Sequence, residues 1–204
     1  MKRILVLPLS LIIVVIFCSS AQALERMYVS AQTGTVKLGD GTFDDLTDEP
    51  DLGKSDVLFA SGSNRFVVLG YSFPNGRLEM EAGYRLNDVD SVGTTAVDGI
   101  NYVVRSLMFN GYYDLERESF YTPFIGAGIG GAHITLDDAG VKAVDDVLAY
   151  QVTAGVAVHV TRSIALDFQY RFFYTTEAEL KTGVHKYSSF LRAHNFSVGV
   201  RIYL

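Results

Sequence analysis

The sequence predicts an all-β chain: an eight-stranded, antiparallel, up-and-down transmembrane β-barrel. Three observations predict it. Apolar and polar residues alternate along eight stretches, the period of a strand with two unlike faces. The connections between those stretches alternate long, short, long, short, long, short, long. The chain is 49% apolar and 20% charged over 204 residues, yet after the leader no apolar run reaches the roughly 20 residues of a spanning helix.

The clearest stretch is the last. From residue 194 onward, Phe196, Val198, Val200, Ile202 and Leu204 share one parity, and Asn195, Ser197, Gly199, Arg201 and Tyr203 share the other. A wholly apolar face meets lipid in an outer-membrane barrel, and the polar face meets the lumen.

Residues 1–23 read as a cleaved secretory signal peptide, leaving 24–204 as the barrel domain. Lys2 and Arg3 precede an apolar run from Ile4 to Phe17, and Ala21-Gln22-Ala23 has the small-x-small pattern of a cleavage site. The single cysteine, Cys18, falls in this leader behind Ile16 and Phe17, which is not a lipoprotein pattern. The mature chain would carry no disulfide into an oxidising compartment. Without Lys2 and Arg3 it holds 15 bases against 23 acids, a formal charge of −8. That balance excludes a nucleic-acid partner that needs a basic face.

Strand one spans 27–38, with Met27, Val29 and Ala31 outward and Tyr28, Ser30 and Gln32 inward. Strand two, 64–73, is apolar on both parities: Val67, Leu69, Tyr71 and Phe73 against Phe66 and Val68. The turn Pro74-Asn75-Gly76 leads to strand three, 77–86, where Leu78, Met80, Ala82, Tyr84 and Leu86 oppose Arg77, Glu79, Glu81, Gly83 and Arg85. Strand four, 101–115, points Val103, Leu107, Phe109 and Tyr113 out and Ser106, Asn110, Tyr112 and Asp114 in. Arg105 falls on its lipid side, a misfit unless it snorkels at the upper interface.

Strand five, 120–136, sets Ile125, Ala127 and Ile129 outward and Gly126, Gly128 and Gly130 inward. This glycine run is the wrong length for a G-x-G-x-x-G nucleotide loop, and no helix pattern follows. Inward glycines instead make room for bulky neighbours and ease curvature. Strand six, 148–160, has Tyr150, Val152, Ala154, Val156, Val158 and Val160 outward. Strand seven, 164–174, has Leu166, Phe168, Tyr170, Phe172 and Tyr174 outward and Asp167, Gln169 and Arg171 inward. The long connections, 39–62, 87–100, 137–147 and 175–193, all fall on one side, as four mobile external loops. Three short turns and both termini fall on the periplasmic side.

In order, LEMEAGYRLND, SLMFNGYYDL, TPFIGAGIGGA, AYQVTAGVAV, ALDFQYRFF and HNFSVGVRIYL resemble the small outer-membrane β-barrel proteins of the OmpA-like and opacity-like surface-antigen type. The resemblance covers residues 27–204. One departure is the terminal Leu204 where such barrels usually carry Phe. The resemblance implies integration in the outer membrane by way of the periplasm, with outer-membrane lipids and lipopolysaccharide as surroundings and the barrel-assembly machinery as partner during biogenesis. A host or cell-surface ligand would be met by the loops.

Eight strands make a barrel just wide enough for side chains to fill. Glu79, Glu81, Arg85, Asp167, Arg171 and Arg201 share the inward parity and are expected to form a paired, partly hydrated plug rather than a gated ion path. No catalytic, cofactor-binding or metal-binding residue is assigned. His133, His159, His185 and His194 show no ligand spacing. His194 and Asn195, with Ser188 and Ser189 nearby, form the one constellation worth weighing for a lipid-modifying enzyme. The acids from Asp40 through Asp44 to Asp51 do not follow the calcium-loop template. The reading is therefore a non-enzymatic outer-membrane barrel displaying acidic loops, a surface antigen or adhesin or a structural envelope protein. A narrow ion-conducting porin-like channel is the alternative, and a lipid-modifying outer-membrane enzyme the second.

Overall fold

The computed structural model describes residues 26–39, 41–45, 55–59, 61–92, 95–96, 100–115, 120–138, 141–176, 178–182 and 185–204. Side chains are described for all of these except 41–45, 55–59, 88–92, 95–96, 100–101, 136–138, 141–143, 178–182 and 185–189. The leader read at 1–23 lies outside the described residues.

Eight long strands carry the fold: β1 (Met27–Leu38), β2 (Gly62–Phe73), β3 (Gly76–Val92), β4 (Ile100–Asp114), β5 (Tyr121–Asp138), β6 (Val141–His159), β7 (Ile164–Thr175) and β8 (Arg192–Tyr203). Each is antiparallel to its sequence neighbours, and β1 pairs with β8 from Tyr28↔Tyr203 to Leu38↔Ala193. That last ladder closes the sheet and leaves the barrel wall no free edge, the only way a sheet satisfies its backbone in lipid.

Closure is staggered. A walk along directly paired residues from Met27 passes Tyr71, Leu78, Gly111, Ala127, Val152, Phe172 and His194 and re-enters β1 at Lys37, ten residues beyond its start. At usual strand spacings this stagger tilts the strands by about 40° to the axis.

The two faces fall as the alternation predicts. Phe168 is 47% exposed and Val200 43%, on the outer wall, whereas Arg171 and Arg201 are buried in the interior. The ambiguous strand resolves the same way, with Val67 and Leu69 outward and Phe66 and Val68 fully buried inside.

The long connections differ from the expected loose loops. β5 and β6 run on as a paired hairpin to Asp138↔Val141, so most of 137–147 is strand. β3 likewise continues to Val92. Short strands Gly41–Asp45, Ser55–Phe59, Ala178–Thr182 and His185–Ser189 occupy the first and fourth connections. They pair in the order 178–182, 185–189, 41–45, 55–59 and then the upper end of β3. The physical reason is simple. Beyond the lipid, polar side chains no longer signal strand or loop, because both faces are wet and the backbone still prefers to pair.

Candidate functional site

The lumen is the first candidate, and its filling begins with glycine. Six large inward side chains lie directly across the ladder from a glycine: Tyr28 from Gly70, Phe66 from Gly83, Tyr112 from Gly126, Phe124 from Gly155, Met108 from Gly130, Gln32 from Gly199. A Cβ added at Gly126 would stand 2.3 Å from the Tyr112 ring, and one at Gly70 would stand 2.1 Å from the Tyr28 ring. The rings lie flat over neighbouring backbone and fill a tube too narrow to hold them otherwise, which is the role expected for the inward glycines.

Toward the turns the filling is ionic. Arg77 is paired with Asp114 and sits 3.6 Å from Glu79, whose other partner is the hydroxyl of Tyr28. Arg201 grips Asp167 with two donors, Nη2 to Oδ1 at 2.8 Å and Nε to Oδ2 at 3.1 Å. Midway up, Arg171 reaches across from β7 to Glu81 on β3 at 2.7 Å. Gln151 donates to Glu81 at 3.2 Å and to Asn110 at 2.7 Å. Gln169 donates to Gln32 over the intervening β8 strand, where Gly199 leaves room. Charges buried this deeply persist only when paired and hydrogen-bonded. Of the six inward charges expected to pair, Glu81 meets Arg171 and Asp167 meets Arg201, while Glu79 is paired with Arg77 instead. Arg77 and Asp114, on inward rows but outside that set, complete the Glu79 cluster.

Arg85 is the exception. Its Nε donates to Asn195 at 3.0 Å and its Nη1 to Ser106 at 2.9 Å, and no carboxylate among the described residues pairs with it. It is held by rings: its guanidinium lies 4.0 Å from the centre of Phe173 and 4.9 Å from that of Phe66. Above it the lumen turns apolar. Val36, Leu38, Tyr102, Val104, Ile134, Val147, Phe173 and Leu191 form one buried cluster at the loop end. Below Arg85 the expected polar groups are present, interleaved with rings such as Tyr112 and Phe124; here they give way. The missed signal was apolar residues on both parities, at Val103-Val104 and Val147-Leu148, the pattern of a strand buried on both faces.

The histidine constellation comes apart. His194 is on the outer wall, where its Nδ1 lies 2.7 Å from the Tyr170 hydroxyl. Asn195 points inward to Asn64 and Arg85. Neighbours in a strand face opposite ways, so the two cannot share one reacting group. The side chains of Ser188, Ser189, His185 and the acids of 40–51 lie outside the described residues. His159 turns inward, 3.2 Å from Thr122. His133 pairs with Asp146 across the β5–β6 ladder at 2.8 Å on the exposed wall, an acid–histidine contact the sequence spacing did not suggest.

The comparisons agree with this architecture. The chain is 26% identical over 195 residues to the outer membrane protein PagN of Salmonella typhimurium, covering 78% of this chain and 79% of that one. Among solved structures, Neisserial surface protein A is 21% identical with a TM-score of 0.61, covering 87% of this chain and 97% of that one. OprG of Pseudomonas aeruginosa is 14% identical with a TM-score of 0.63, covering 88% and 97%. These likenesses establish a shared barrel. Residues 9–202 match the outer membrane protein beta-barrel domain, and the chain belongs to that family as an integral protein of the outer membrane.

Proposed function

We propose that the barrel is a closed anchor and that function resides on its external hairpins, as a surface antigen or adhesin contacting another cell. The observation that carries this reading is the rim sheet. The first and fourth connections pair with each other and with the upper end of β3, so they are held as a surface rather than left as separate loops. Binding residues commonly sit on connections fixed by a rigid scaffold. Of the 23 acids in the chain, 16 lie in the four external segments 39–62, 87–100, 137–147 and 175–193, against five lysines and arginines. A surface of that sign selects a partner with a basic face and repels acidic ones. The filled lumen supports an anchor over a channel. The divided histidine constellation supports a non-enzymatic role.

The test is adhesion by cells expressing the chain with residues 41–59 replaced by a short Asn-Gly turn. The barrel should reach the outer membrane at unchanged abundance while binding to host cells or purified basic surface proteins is lost. Unchanged adhesion would remove the first hairpin from the binding surface. Normal adhesion with increased permeability of a knockout would favour a structural envelope role.

A further inference from the structure

Below the upper rim, the outward side chains of the barrel wall between the periplasmic turns and one narrow belt carry no charge among the described residues. In that belt they carry several. Arg65, Tyr84, Arg105 and His133 are directly paired in one row across β2, β3, β4 and β5. Arg65 and Arg105 are both exposed on the lipid-facing wall. The guanidinium of Arg105 lies 6.0 Å from the centre of the Tyr84 ring. Because the row climbs with the strand tilt, it stands roughly 20–25 Å above Met27, the height at which an apolar band of about 25 Å ends. One step lower, on the same faces, the row is Val67, Ala82, Leu107 and Gly131. Val67 and Leu107 are more than half exposed, and Ala82 between them leaves a shallow apolar track.

We infer that the Arg65–Tyr84–Arg105 row binds the phosphate groups of a phosphorylated glycolipid of the outer leaflet, lipopolysaccharide in a Gram-negative envelope, with an acyl chain lying along Val67, Ala82 and Leu107. Two arginines with one strand between them have Cα atoms about 10 Å apart, and each guanidinium offers a planar fork suited to phosphate oxygens. His133 is engaged with Asp146, which leaves the two arginines as the strong donors of the row. An arginine that merely snorkels would need only water. Two of them on one paired row, flanking a tyrosine above an apolar track, match a lipid with an anionic head and straight chains. This inference does not rest on the adhesin reading, which concerns the hairpins above.

The test uses the full barrel in detergent, titrated by native mass spectrometry with rough lipopolysaccharide, its enzymatically dephosphorylated form, and phosphatidylglycerol. Phosphorylated lipopolysaccharide should bind the wild-type protein about tenfold or more tighter than either other lipid. The R65S/R105S variant should lose that margin, R65K/R105K should keep most of it, and R162S, at the turn side, should be unaffected. Equal binding of the phosphorylated and dephosphorylated forms would overturn the inference, and so would phosphatidylglycerol binding as tightly. The dephosphorylation arm uses the unaltered protein, so poor folding of a variant leaves the test intact.

Discussion

The lower and upper parts of the lumen are sealed by different chemistry. From the turns to mid-height, Arg77, Arg201 and Arg171 each meet a carboxylate. At the loop end, Val104, Ile134 and Phe173 pack against one another, with Arg85 beneath them between two rings. The difference teaches what each region tolerates. An ion pair out of bulk water fails when one partner goes, because the survivor is left uncompensated. An apolar cluster fails in proportion to the volume removed.

The largest effect should follow from breaking a pair. Glu81→Ala strands Arg171 and removes an acceptor of Gln151; unfolding of the refolded barrel in urea should show a loss of about 3–5 kcal/mol. Adding Arg171→Met should restore most of it, and failure to do so would mean the charge itself is not the cost. Overfilling comes next. Gly126→Val drives side-chain atoms into the Tyr112 ring, at about 1–3 kcal/mol, and Tyr112→Ala in the same chain should relieve it. Trimming the cap costs less: Ile134→Val should lose about 1 kcal/mol by the same assay. Arg85→Met should change stability least, within about 1 kcal/mol, because no acid is stranded and a similar apolar volume remains between Phe66 and Phe173. A loss comparable to that of Glu81→Ala would show that Arg85 has an ionic role the ring contacts do not express.

The wall was legible in the sequence because lipid enforces the alternation: Phe168 and Arg171 could be assigned from parity alone. The strand ends were not. The residues 137–147 carry four aspartates and read as loop, yet the β5–β6 ladder runs through them, since water accepts polar side chains on either face. The apolar cap was hidden for the related reason that apolar residues on both parities, as at Val147-Leu148, leave orientation undecided. Pairings across the lumen were out of reach as well. Whether Arg85 on β3 faces an acid or Asn195 on β8 depends on the stagger of closure, a property of the whole ring. The division of His194 from Asn195 was within reach, since the strand period alone separates adjacent residues.

The most direct measurement is single-channel recording of the wild-type barrel in planar bilayers, with outer-membrane insertion verified by its heat-dependent mobility. Ionic locking below and apolar packing above predict a flat current at either polarity. Reproducible unit conductance steps, abolished when Arg85 or Arg171 is replaced, would contradict a sealed anchor and restore the channel.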